Sequence, residues 1–164
     1  YLAPAPEPAD WVPTEAAEQL LLESGADIRM GGDRAFYQPD LDFIQLPLAK
    51  AFGDGGAFYG TALHELTHWT GHASRCARSL TGRFGDAAYA MEELIAEMGS
   101  AYLCAHCRLD GQLQHPSYLA HWLDVLRADK RAIFTAATKA QQAADHLVGD
   151  SDSSDRVDAV VEAA

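Results

Sequence analysis

His64-Glu65-Leu-Thr-His68 sits inside a run of helically spaced apolar residues, and it restricts the fold more than any other feature of the chain. Residues four apart on a helix lie one above the other, with Cβ atoms roughly 5–6 Å apart. His64 and His68 can therefore close on one metal ion, at Zn–N distances of about 2.0–2.1 Å. Glu65 projects to the rim of the same face, where it can take a proton from a metal-bound water. Phe58, Tyr59, Ala62 and Leu63 before the motif, with Leu66 and Trp69 through it, predict a helix with one buried face. Gly53, Gly55 and Gly56 read as the loop ahead of that helix, and Gly71 as its end.

A catalytic zinc site usually takes three protein ligands and leaves one position open. A continuation His-x-x-Gly-x-x-His would supply the third, and Gly71 is in register for it, but Ser74 stands where that histidine should be. His72 is one turn past His68, where the helix is ending. The segment from Asp86 to Cys104 predicts a second helix, with Asp86 as N-cap and Met91, Leu94, Ile95, Met98, Ala101 and Tyr102 as its apolar stripe. It carries Glu92, Glu93 and Glu97, the last two on a shared face, and no Lys or Arg lies between Gly85 and His106 to offset them. A charge cluster of this kind is ordinarily a solvated rim, but a divalent cation would also balance it. We assign Glu93 as the third ligand ahead of Glu92 and Glu97. Glu97 then accepts from a histidine ring and orients it, and Glu92 points outward.

From Arg34 to about Gly149 the chain resembles the metallopeptidase domain of the ArdC-like antirestriction and polyvalent proteins of plasmids and phages. The resemblance is carried by Arg34-Ala-Phe-Tyr-Gln-Pro39, Asp42-Phe-Ile-Gln-Leu-Pro47, Tyr59 to His72, Arg75, Glu92-Glu93-Leu-Ile-Ala-Glu97, Tyr118, Trp122 and Ala140-Gln-Gln-Ala-Ala144. It implies an α+β zincin fold of the glutamate-ligand type: a small antiparallel or mixed sheet packed on the metal helix and further helices. It also implies one Zn2+ and a role in protecting incoming DNA. In that family the domain usually follows a separate single-strand-DNA-binding domain, so fusion or association with one is the partnership implied.

The chain has 164 residues and a net charge of −12, of which residues 150–164 supply −4 through five acids against Arg156. That balance argues against direct binding of a phosphate backbone, which calls for a basic face. The arginines at 75, 78 and 83 and the Lys130-Arg131 pair are assigned to loop packing or surface charge. No apolar run approaches the ~20 residues needed to cross a bilayer, and no signal segment opens the chain, so a cytoplasmic protein is expected. The start at Tyr1 without Met reads as a processed or excised piece. Cys76, Cys104 and Cys107 are an odd count, read as reduced, partly buried thiols rather than a disulfide framework.

Three regions are expected: a proline-rich arm over 1–13, the zincin-like domain over 14–149, and an acidic, serine-rich disordered tail over 150–164. Thr14 can cap a helix running to Ser24. Ile28-Arg-Met, Ala35-Phe-Tyr-Gln and Phe43-Ile-Gln-Leu read as short strands joined by turns at Gly31-Gly-Asp33 and Pro39-Asp40. The strand ending near Pro47 is the expected edge for an extended peptide. A last helical region from Pro116 to Val148, broken near Asp129, is expected to bury Leu119, Leu123, Leu126, Ile133, Phe134, Ala137, Leu147 and Val148.

The chemistry this pattern points to is peptide-bond hydrolysis, with zinc on His64, His68 and Glu93 and with Glu65 as general base. Tyr118, His72 and Arg75 are candidate donors to the oxyanion. The rival reading is a zinc-containing module that contacts restriction enzymes or other DNA-bound proteins without cutting them. A protein or peptide is the partner on either reading.

Overall fold

Asp54, in extended conformation, accepts a hydrogen bond from the Ala57 N–H at 2.8 Å and so sets the start of the helix α2 (Gly55–Thr70). The computed structural model describes residues 9–80, 87–109, 123, 126, 127 and 129–149. Before α2 come α1 (Glu15–Glu23), the strands β1 (Asp27–Met30), β2 (Phe36–Gln38) and β3 (Phe43–Leu46), and a 3-10 turn at Ala49–Ala51. After it come α3 (Ala87–His106) and α4 (Ala132–Val148). The arm residues 1–8, the tail residues 150–164, and Asp86, Leu119 and Tyr118 lie outside the described residues.

β3 is the middle strand of a mixed sheet ordered β1-β3-β2, parallel to β1 and antiparallel to β2. This corrects the expectation that the strand ending near Pro47 is the peptide edge: its ladder is already occupied on both sides, and among the described residues β1 and β2 are the edge strands. Ile44 and Leu46 point from β3 into the core, fully buried, while Phe43 and Gln45 are half-buried on the other face.

α2 is buried around nearly its whole circumference rather than on one face. The sheet, α1, α3 and α4 all contact it. Its Tyr59, fully buried, donates its hydroxyl to Glu18 at 2.6 Å and accepts from the Thr14 N–H at 3.1 Å, fixing the start of α1 against α2. Trp11 stacks on Phe58 and Tyr59, so the last part of the expected arm packs on the core.

α3 crosses α2 at close range. A Cβ on Gly99 would lie 2.5 Å from the Thr67 methyl, and the buried Ser100 hydroxyl donates to the Gly60 carbonyl at 2.9 Å. Only a residue without a side chain lets the two backbones approach this far. α4 docks on α3 through a stripe of small residues, Ala132, Ala136, Ala140, Ala143 and Ala144, all buried. Of the larger residues expected to form a core face, Phe134 is 73% exposed, Ile133 41% and, ahead of α4, Leu123 50%, whereas Leu147 and Val148 at the end of α4 pack half-buried on the core. Alanine wins these positions because a close helix contact has no room for branched side chains.

Candidate metal centre

Because α2 is helical through the motif, His64 and His68 stack on one face, with ring centroids 4.8 Å apart and their Nε2 atoms 3.2 Å apart. α3 brings Glu93 to the same point: its carboxylate oxygens lie 3.5 Å from His64 Nε2 and 3.5 Å from His68 Nε2. One donor atom from each of the three residues lies within 4.8 Å of the others. Two ligands about 2.0–2.1 Å from a shared ion at the tetrahedral angle are roughly 3.4 Å apart, so these separations are those of a metal's ligand set. The donors, two imidazoles and a carboxylate, suit zinc and its first-row neighbours.

The outer ring nitrogens are also met by carboxylates. Glu97 lies 3.6 Å from His64 Nδ1, and Glu92 lies 3.1 Å from His68 Nδ1. Glu92 therefore does not point outward. It is buried and grips the Arg78 guanidinium, with Nε and Nη2 donating to it at 3.0 and 2.9 Å. Arg78 also donates to the Thr70 hydroxyl at 2.8 Å and the Thr67 carbonyl at 2.6 Å, so its loop is strapped to the end of α2. Gly71 permits this: a Cβ there would meet Leu80 at 2.8 Å and Arg78 at 3.0 Å. Its φ is −71°, so close approach of the loop, rather than a left-handed cap, is what the glycine serves.

Glu65, Glu92, Glu93 and Glu97 are thus four buried carboxyl groups around two imidazoles, and the Arg78 guanidinium is bonded to Glu92. Burial disfavours charge on His68, but its bonds to Glu92 and Glu93 and the charge of Glu65 push it up to about 10. Burial would raise Glu93, yet His64 and His68 hold it well below the usual carboxylate range, and His68 and Arg78 do the same for Glu92. The surrounding carboxylates favour positive charge at the centre, as a proton on His68 or as a cation that the same donors could hold.

A cleft of about 360 Å³ opens over the centre. His64, Glu65, His68 and Glu93 form its floor, the β2 side from Arg34 to Pro39 one wall, and Ser79, Leu80, Ala88 and Tyr89 the other. Tyr37 on that β2 wall donates its hydroxyl to Asp42 at 2.8 Å, and Arg75 holds Asp42 at 3.0 Å through Nη1 while Nε donates to the Trp69 carbonyl at 2.7 Å. Arg75 also stacks 3.7 Å over the Trp69 ring. Arg75 and His72 do not line the cleft; Arg75 braces the strand wall, and His72 is bonded to Ser74 at 2.8 Å. Arg78 and Tyr37 are the contributors that sequence reasoning did not assign to the site. Tyr37 could have been flagged by its place on a strand beside the metal helix, whereas Arg78 lies in an irregular loop with no periodic signal.

A family model described as a zincin-like metallopeptidase, MPTase-PolyVal, matches residues 15–139. The protein y4eC of Sinorhizobium fredii is 48% identical over 135 residues, 81% of this chain and 44% of that protein. The DNA primase TraC of Escherichia coli is 44% identical over 140 residues, 84% of this chain and 13% of the primase. Among solved structures, the Mn(II)-bound antirestriction protein ArdC from plasmid R388 matches with a TM-score of 0.72 and 46% identity, over 80% of this chain and 50% of ArdC. Its metal-free form matches with a TM-score of 0.72 and 43% identity, over 85% and 52%. The chain thus spans about half the length of these relatives or less.

Proposed function

This chain belongs to the zincin-like metallopeptidase family, and from that premise we propose that it hydrolyses peptide bonds, with one divalent cation held by His64, His68 and Glu93. The observation that carries the reading is the convergence of both Nε2 atoms, 3.2 Å apart, on the Glu93 carboxylate beneath an open cleft that also holds Glu65. When bound, a cation such as zinc lowers the pKa of water toward ~7 and polarises a carbonyl.

Each side chain has a task on this reading. Glu92 accepts from His68 Nδ1, and Glu97 stands 3.6 Å from His64 Nδ1, so both carboxylates favour the tautomer that leaves the Nε2 lone pairs facing the centre. Glu65, buried at the cleft floor, accepts a proton from the attacking water and passes it to the leaving amine. The edge of β2, unpaired among the described residues, offers backbone groups to an extended peptide. Tyr118 is the proposed donor to the developing oxyanion. We propose residues 14–149 as the working domain, with Trp11 of the proline-rich segment packed on its core and the acidic tail outside it.

Its relatives include an antirestriction protein and a DNA primase. We place its substrates among proteins that act on DNA, reached as part of a longer protein or with a separate DNA-binding partner. The test is Glu65→Gln. It should keep one metal ion per chain and lose hydrolysis of unfolded protein substrates by ~10²-fold or more. Cleavage at the parent rate would remove Glu65 as base, and full protection of DNA by the variant would favour a non-cutting binding module.

A further inference from the structure

Arg34 stands two residues ahead of β2 on the cleft wall, and it lines the cleft together with the metal-centre residues. Its setting differs from that of three other arginines. Arg29 is paired with Asp27, Arg75 with Asp42 and Arg78 with Glu92. Arg34 is exposed, and no carboxylate or carbonyl among the described residues holds its guanidinium. The chain has 24 acids against 12 Lys and Arg, so most basic groups can find an acidic neighbour. Even the adjacent Asp33 does not pair with it. A guanidinium offers a planar fork of donors that matches a carboxylate.

We propose that Arg34 forms an anion subsite of the cleft, which selects peptides carrying an acidic side chain or a terminal carboxylate near the bond to be cut. This rests on the peptidase reading and adds the class of substrate to it. Successive strand residues advance ~3.3 Å, so the wall from Arg34 to Pro39 is at most about 16 Å long. A peptide lying along it places any residue facing Arg34 within about five positions of whatever sits over the metal centre. A nucleic-acid phosphate has similar chemistry, but a polyanionic backbone would run past Glu65, Glu92 and Glu93 and meet the chain's net charge of −12. An isolated carboxylate avoids that repulsion.

The experiment uses zinc-loaded protein and a set of quenched fluorescent peptides in which Asp or Asn is placed at each position around one fixed cleavable bond. Parent protein should favour Asp over Asn at one or two adjacent positions by about tenfold in kcat/KM. Arg34→Ala should bring that ratio close to one, and Arg34→Glu should invert it in favour of Asn. Hydrolysis by parent protein without an Asp preference, or a preference that survives Arg34→Ala, overturns the subsite. The same peptides are titrated by fluorescence anisotropy against Glu65→Gln protein with and without Arg34→Ala. If nothing is cleaved but Arg34-dependent binding of the Asp peptides is seen, the subsite stands and the peptidase reading falls. Equal binding of Asp and Asn peptides overturns the subsite, as does a single-stranded oligonucleotide that binds more tightly than they do through Arg34.

Discussion

The floor of the cleft and its strand wall are secured by different means. On the floor, α2 and α3 meet through Gly99 and Thr67 at a distance no other residue would allow, and a buried Arg78–Glu92 pair locks the loop above them. The wall is a three-residue edge strand, anchored by Tyr37, Asp42 and Arg75 through a network partly open to solvent. The contrast teaches where tolerance lies. Ligands that must converge on one ion are set by close-packed helices, whereas a surface that pairs with varied chains can afford give.

The largest expected effect breaks the floor. Arg78→Ala leaves Glu92 buried without its cation and should cost about 3–5 kcal/mol, read as a shift of the denaturation midpoint. Metal affinity should fall with it, since Glu92 also orients His68. A stability change under about 1 kcal/mol would mean that water replaces the guanidinium. Next, Gly99→Ala inserts a methyl group against Thr67, whose hydroxyl is tied to the Leu63 carbonyl at 2.8 Å. A loss of about 1–3 kcal/mol is expected, together with weaker metal binding as α3 moves away. Unchanged metal affinity would separate helix spacing from ligand geometry.

A pH series sharpens the account of the floor. In the metal-free protein His68 is raised above its unfolded value, so its contribution is complete below about pH 6.5 and is lost as pH rises toward about 10. Glu92 and Glu93 are lowered, so theirs is complete above about pH 4.5 and is lost in acid. Metal-free protein should therefore be most stable between those limits, as read by chemical denaturation. Metal-loaded protein should hold its stability on the alkaline side, since the ion replaces the His68 proton. Parallel alkaline losses in both forms would contradict this.

The smallest effect tests the wall. Asp42→Asn keeps a residue tolerant of the left-handed backbone at φ 51° but removes the charge facing Arg75. Stability should change by less than about 1 kcal/mol. KM for extended peptides should rise several-fold, with metal content unaltered and kcat nearly so. A fall in kcat alone would move Arg75 and Asp42 from bracing the strand to the chemistry.

Long periodic segments were legible in the sequence. The positions of α2 and α3, and the placing of His64, His68, Glu65 and Glu93 on facing helices, follow from spacing that the backbone must obey. Three features were not legible. The order β1-β3-β2 depends on a parallel crossover that short strands do not announce, so a sequence reading puts the peptide edge on what is the middle strand. The alanine face of α4 is hard to read because larger apolar residues on the same helix weigh more in any periodicity argument, although Ile133 and Phe134 here face solvent. Glu92 was turned outward because its partner Arg78 comes from a loop that folds back over the helix, a contact made by tertiary packing alone.

X-ray absorption at the zinc edge of protein reconstituted with one equivalent of the ion tests the centre most directly. The account expects two imidazole nitrogens at about 2.0–2.1 Å and carboxylate oxygen at about 2.0–2.2 Å, with the signal lost in a His64→Ala, Glu93→Gln double variant. Sulfur at about 2.3 Å from Cys76, Cys104 or Cys107, or an ion that washes away at neutral pH, would contradict it.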